Sequence, residues 1–469
     1  MASEADMGFF KAYDMRGTFG IDFDLDTVYR VGKALPKVVG GTRWLVGRDC
    51  RASSPEVRNA LVAGLRAAGV EVTDLGLATT PMVYFFTAED DFDGSVMITA
   101  SHNPPSDNGL KVSKRGALPV GYESGLAEVE KLVAADTERY SASAEDAPAT
   151  TDPVRLAKYV SWLKAQADLP SIGSLRFAVD CSDGMASILA HELFPNAVFI
   201  NDTPDGTFPH HAPNPLLSAS REQLATVVRE RELDCGVIFD GDADRCMFVD
   251  ETGAFIQPDY LIPVLASTYF PPSHPSLPSH PSQPSPLSLP SIIHDVRTSR
   301  AAIEAIRKMG CKPVIGKVGH AYAKVLLREV KAVCGGELAG HYYFRDFHGC
   351  DSGELAALRI LGAFAQAKAR GETVSRYMEP ICGKYANSGE VNFKVADKPA
   401  AIARALAVAK TFGKETERCE IDGVRLEFAE GWISVRQSNT EPYLRLLAEC
   451  DTPERLKTWM DALSAAVSA

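Results

Sequence analysis

The 469-residue chain has no apolar run approaching ~18 residues, so nothing in it reads as a membrane span. It also lacks a long basic run. Lysine and arginine number 49 against 61 aspartates and glutamates, a net charge of −12. That balance argues against nucleic acid as the main partner. It does not exclude an anionic substrate, because a few local arginines can still build an anion site. The ten cysteines form no C-x-x-C pair and no zinc-finger spacing. Reduced, mostly buried thiols in a cytoplasmic protein are the expectation. The opening "MASEADMGFFKAYDMRG" lacks the basic-then-apolar pattern of a secretory signal. No G-x-S-x-G elbow is present, which removes one common serine-hydrolase signature.

What the chain does have is an ordinary globular composition, 45% hydrophobic and 23% charged. Its length alone suggests roughly three domains. Short apolar runs alternate with helix-period stretches: "TRWLVGRDC" then "SPEVRNALVAGLRAAG", "LRFAVDCSDG" then "MASILAHELF", "IIHDVRTS" then "AAIEAIRKMG". Such βα units predict α/β domains with largely parallel sheets, whose ligand loops lie beyond the carboxyl ends of strands. The last ~90 residues alternate strands around a helix and read as α+β. Residues 271–290 break the pattern, because fourteen of the twenty are Pro or Ser. That segment is expected to be a surface loop of polyproline II character with little to bury.

Two motifs carry most of the chemistry. In "CGVIFDGDADRCMFV", Asp240, Asp242 and Asp244 follow an apolar strand at alternate positions. That spacing points three carboxylates to one side, and three clustered carboxylates call for a hard cation. An EF-hand loop fits the aspartates and Glu251 but fails at Arg245, where that loop needs glycine. A solvated acidic turn is the bland alternative. In "TASHNPP", Ser101 precedes His102. Adjacent side chains of an extended segment face opposite ways, so His102 is expected to be poorly placed as a base for Ser101. Phosphoryl carriage beside a divalent metal suits the serine better. A plain turn serine before Pro-Pro stays open. "RQSNTEP" offers an arginine fork and small polar donors for phosphate. "GGELAGHYYF" offers a Glu and a His that could hold sugar hydroxyls, or simply each other.

With "TASHNPP", "DGDADR", "GGELAGH" and "RQSNTEP" in this order, and "FKAYDMRGTFG" at the start, the chain resembles the α-D-phosphohexomutase superfamily over essentially its whole length. Its phosphomannomutase/phosphoglucomutase branch is the nearest in pattern. The resemblance implies four domains around a central cleft, three α/β with mixed, largely parallel sheets and a C-terminal α+β domain. Their expected spans are 1–147, 148–253, 254–376 and 377–469, with the Pro/Ser segment as an insertion in the third. It implies a phosphoserine at Ser101, which with Asp240, Asp242 and Asp244 would bind Mg2+. Lys111 would serve proton transfer or charge stabilisation, beside Arg16 and His102. Tyr13 and Arg245 would line the same cleft. Arg297, Gly319 and His320 are implied substrate contacts, and so is the loop Glu337, Leu338, Ala339, Gly340 and His341. Arg436, Gln437, Ser438, Asn439 and Thr440 would hold the non-reacting phosphate.

The implied reaction interconverts hexose 1-phosphate and 6-phosphate through a bound hexose 1,6-bisphosphate, in a monomer or homodimer that uses neither nucleic acid nor membrane. A phosphoglucosamine mutase and a catalytically silent phosphosugar-binding protein are the alternatives. Three residues depart from the family pattern: Ala339 replaces a usual serine, Arg297 a frequent lysine, and Ala243 a common glycine.

Overall fold

The βα rhythm of the sequence builds three sheets of one design. The structure is a computed structural model that describes residues 8–141, 150–270, 289–438 and 443–469. In the first sheet, Gly94–Ile98 and Glu71–Leu77 both pair parallel with Arg43–Arg48, which lies between them. Asp107–Lys114 then returns antiparallel beside Gly94–Ile98, with Met15–Thr18 outside it. The second sheet repeats this order, with Phe177–Asp180 paired parallel between Val198–Ile200 and Cys235–Phe239. Cys246–Asp250 and Phe255–Ile256 complete it antiparallel, so this sheet runs past residue 253. The third has Ser291–Asp295 between Lys312–Gly316 and Cys334–Gly336, then Tyr342–Phe344 and Cys350–Asp351 antiparallel. Each sheet is therefore parallel where helical crossovers build it and antiparallel where hairpins do.

The switch point from parallel to antiparallel falls at the same place three times. It holds residues 99–106 in the first sheet, 240–245 in the second and 337–341 in the third. These are the "TASHNPP", "DGDADR" and "GGELAGH" segments, so one topology delivers three motif loops to one region.

Local chemistry explains most of the helices. Thr79 caps Thr80–Glu89 by accepting from the Met82 N–H, and Ser299 caps Arg300–Lys308 by accepting from Ala301. Gly69 follows Ser54–Ala67 at φ +84°, the expected stop. "MASILAHELF" does not form the single helix its pattern suggests. It yields the 3-10 turn Met185–Ile188 and the short helix Ala190–Leu193, broken at Leu189 with φ −137°.

One apolar core joins the first three units. Phe85 and Phe86, Phe177 and Val237, Ile292 and Tyr342 all belong to it. Its centre is the helix Gly353–Ala369, which buries Leu355, Leu358, Ile360, Leu361 and Phe364. The C-terminal unit is α+β, as expected. Its antiparallel sheet includes Val424–Glu427, Gly431–Gln437 and Leu444–Cys450, packed by Lys398–Ala409 and Pro453–Ser468. It has a separate core in which Trp459 stacks on Phe412 at 4.4 Å.

All ten cysteines are free. Among the described residues, no helix is long and apolar enough to cross a membrane. Residues 271–288 of the Pro/Ser segment lie outside the described residues.

Candidate active site

Ser101 sits at the end of Gly94–Ile98 with φ +52°, in the left-handed region. Its Oγ donates to Asp240 Oδ2 at 2.8 Å. The expectation that His102 faces away fails for the same reason: a left-handed residue turns the chain, so strand alternation does not apply. His102 Nδ1 lies 3.3 Å from Ser101 Oγ. Burial first, then Arg245 and Arg16, holds His102 well below its usual value, so its imidazole is neutral.

Asp240, Asp242 and Asp244 are fully buried, and one donor oxygen from each lies within 4.8 Å of the others. Ala243 makes the turn possible at φ +63°, where glycine would be the easier residue. The Asp242 and Asp244 Oδ1 atoms are buried without a hydrogen-bond partner. Uncompensated carboxylate oxygens are costly inside a protein, and a hard divalent cation is what they fit. Burial, together with Asp242 and Asp244, drives Asp240 well above the usual carboxylate range. Lys111 Nζ bridges Asp242 and Asp244 at 2.6 Å each. Burial opposes its charge, but the two aspartates outweigh burial and raise its hold on the proton.

Above this floor opens a cleft of about 950 Å³ whose walls come from all four units. Tyr13, Arg16, His102, Arg245, Arg297, Gly319, His320, Glu337, Leu338, Ala339, His341, Arg436 and Ser438 line it. Arg16 is held by Asp14 at 2.6 Å and Asn103 at 3.0 Å. Tyr13 donates to the Val318 carbonyl at 3.0 Å, and a Cβ on Gly319 would meet its ring at 2.7 Å. Glycine at 319 is thus what lets the first and third units close on each other. Glu337 accepts from the Gly319 N–H at 2.7 Å and from Tyr343 Oη at 2.9 Å. The Leu338 side chain clusters with Trp432 and Leu447 of the C-terminal unit. Gly340 and Gln437 do not line the cleft. Gly340 makes its turn at φ +87° against Met247. Asn439 and Thr440 lie outside the described residues.

Sequence reasoning named Arg297 and Arg436 but missed Arg445 and Glu390, which gather them into one group. Arg445 donates to Glu390 at 2.8 Å, while Arg297 and Arg436 approach the same carboxylate at 3.5 and 3.6 Å. Burial opposes ionisation of Glu390, but the three arginines prevail and hold it below the usual range. Three guanidinium groups gathered on one carboxylate form a site suited to phosphate. Arg51 was missed as well. It is fully buried and donates to the carbonyls of Ser101, Asn103 and Asp107 at 2.8, 2.8 and 2.9 Å, and to Pro104. Asp49 anchors it at 3.0 Å. Arg51 follows Arg43–Arg48 as Arg297 follows Ser291–Asp295, each bound to an aspartate two residues earlier. That repeat was the one sequence signal available for it.

Four family descriptions match the chain in order. They are the phosphoglucomutase/phosphomannomutase alpha/beta/alpha domains I, II and III over residues 7–140, 157–253 and 279–385, and the C-terminal domain over 390–466. Phosphohexose mutases of Xanthomonas campestris pv. campestris (strain B100) are 36% identical over 445 residues, covering 94% of both chains. A phosphomannomutase of Salmonella montevideo is 34% identical over 458 residues, with the same coverage. Among solved structures, a phosphoglucomutase/phosphomannomutase family protein from Burkholderia thailandensis superposes with a TM-score of 0.80 at 28% identity, over 98% of this chain and 97% of that one. Parafusin, a phosphoglucomutase from Paramecium, shares the fold at a TM-score of 0.69 and 16% identity, over 94% and 91%. The chain belongs to the phosphoglucomutase/phosphomannomutase family and is an isomerase of the phosphomutase kind.

Proposed function

We propose that the protein interconverts hexose 1-phosphate and hexose 6-phosphate, with mannose and glucose phosphates as substrates, through a phosphoserine at Ser101. One observation carries this reading: a buried serine–aspartate floor stands beside the cleft that holds a three-arginine group. A mutase of this kind needs one fixed donor, one fixed phosphate clamp and room for the sugar to bind in two orientations.

The residues fit those roles. Arg297, Arg436 and Arg445 grip the non-reacting phosphate in place of Glu390. Glu337 and His341 meet the sugar hydroxyls. The sugar hydroxyl attacks phospho-Ser101: its bond to phosphorus forms as the Ser101 Oγ–P bond breaks, and its proton passes to neutral His102, whose cation the adjacent phosphate charge would offset against burial and the nearby arginines. Lys111 keeps its own proton between Asp242 and Asp244, which favours charge stabilisation over service as a base. Mg2+ bound by Asp240, Asp242, Asp244 and the phosphoserine would neutralise charge on the phosphoryl oxygens. The bisphosphate turns in the cleft, and its other phosphate returns to Ser101 by the reverse step. Burial of Ser101, 1% exposed, limits loss of the phosphoryl group to water.

The test is kcat/KM for mannose, glucose and N-acetylglucosamine 1-phosphates, measured side by side with Mg2+ and a trace of hexose 1,6-bisphosphate. Turnover of the first two well above the third supports the reading. No turnover of mannose or glucose 1-phosphate overturns it.

A further inference from the structure

The strand Ser291–Asp295 carries a histidine that the reaction does not use. His294 is 5% exposed, and its Nδ1 lies 3.0 Å from the Asp295 carbonyl oxygen. A carbonyl oxygen only accepts, so Nδ1 donates and Nε2 keeps its lone pair. Burial first, then Arg425 and Arg307, holds the ring at about 4, and it stays neutral. Nε2 itself has no hydrogen-bond partner among the described residues. A buried acceptor is costly unless something donates to it.

The ring lines a second cavity, of about 240 Å³, which shares no residue with the cleft. Its walls come from two units. Ile303, Arg307 and Ile315 belong to the third, and Glu417, Cys419 and Arg425 to the C-terminal one. Most charges on these walls are already paired. Arg300 and Arg425 share Glu427 at 2.7 and 2.8 Å. Glu304 binds Lys384, which lies outside the cavity, and Tyr385 at 3.0 Å. With Glu304 neutralised from outside, three arginines stand against two carboxylates. Arg307 and Glu417 are exposed, and neither side chain has a partner among the described residues.

We propose that this cavity is a second ligand site, taking a small anion that also bears a hydroxyl group. The anion would meet the Arg307 guanidinium fork, and the hydroxyl would donate to His294 Nε2. A short phosphate ester and a hydroxycarboxylate share that chemistry. The volume lies just below the usual range of small-ligand pockets, which limits the occupant to a few carbon atoms. Both units line the cavity, so an occupant favours the state in which they are docked. The site does not rest on the mutase reading, because none of its lining residues serves that reaction.

Cys419 reports occupancy from the cavity wall itself. The full chain is treated with iodoacetamide and alkylation is mapped by mass spectrometry, with the half-buried Cys50 and Cys382 as internal references. Glycerol 3-phosphate, tartrate and sulfate are added at matched ionic strength; sulfate has the charge without a hydroxyl. At about ten times its Kd an occupant leaves roughly one cavity in eleven open, so alkylation of Cys419 should slow ~10-fold. Glycerol 3-phosphate or tartrate should do this and sulfate should not. Whichever acts more strongly identifies the phosphate ester or the carboxylate as the class of ligand. Arg307→Ala, at an exposed position, should abolish the protection, and His294→Phe should erase the advantage over sulfate. The proposal is overturned if neither hydroxylated anion protects Cys419, which leaves water as the occupant, or if sulfate protects equally well. It is also overturned if Arg307→Ala is protected as fully as wild type, or if Cys50 and Cys382 slow in step with Cys419.

Discussion

Ser101 and Ala243 both occupy left-handed backbone, at φ +52° and +63°, and both belong to the floor of the cleft. Non-glycine residues there cost of order 1–3 kcal/mol, and such strain gathers where geometry serves function. The two loops meet at Gly241, where an added Cβ would stand 2.5 Å from the Ser101 carbonyl oxygen. Gly241→Ala should therefore push the serine away from Asp240 without removing any reacting group. We expect kcat/KM to fall roughly 100-fold with the fold intact by circular dichroism, since a misplacement of about 1 Å can cost that much. Activity within twofold of wild type would show that the loops do not need this contact. The same residues show how far a sequence can be read. Alternation of Asp240, Asp242 and Asp244 foretold their convergence. Alternation across Ser101 and His102 misled, because a positive φ is invisible in a serine codeword and overrides the strand pattern.

Arg51 acts at the scale of an element, tying the whole segment 101–107 to the end of Arg43–Arg48. Lysine there keeps the charge but cannot fork to several carbonyls at once. Arg51→Lys is expected to destabilise the fold by roughly 3 kcal/mol, because buried carbonyls left without a donor cost about 1–3 kcal/mol each. Hydrogen exchange should quicken in residues 101–107 before the neighbouring strands; uniform or unchanged exchange would contradict the clamp.

A second element-level prediction concerns the strand Ser291–Asp295. Burial pushes His294 down from 6.5 to about 4. Between those values the unfolded chain binds the proton and the folded chain does not, so stability is full above pH 6.5 and declines as pH falls toward 4. His294→Gln should lose less stability than wild type in urea melts across that window, and an equal loss would rule out this source. Arg51, Glu390 and Arg445 were not legible as site residues because most of their partners lie tens of positions away. The strands, caps and glycine stops were legible because their causes are local.

At the scale of the molecule, one core unites three sheets while the C-terminal unit keeps its own. What joins the two is mostly polar: Arg300 to Glu427 at 2.7 Å, Arg425 to the Val296 and Thr298 carbonyls, and the Arg297–Glu390 approach. Calorimetry should resolve two transitions, with the C-terminal unit melting first; a single two-state transition would mean the polar seam couples the units fully. The three repeated sheets explain why three of the four motifs meet at one cleft. The order of the motifs could be read from the chain, whereas the repeated switch point that brings them together appears only in the pairing of strands. The most direct measurement of the central claim is the phosphorylation state of Ser101. Purified protein is incubated with hexose 1,6-bisphosphate and Mg2+, weighed intact, then weighed again after excess glucose 1-phosphate. The account predicts one phosphoryl group, mapped to Ser101, absent in Ser101→Ala and discharged by the sugar phosphate. Turnover by Ser101→Ala, or a phosphoryl group that stays on Ser101 while wild type turns over, would contradict it.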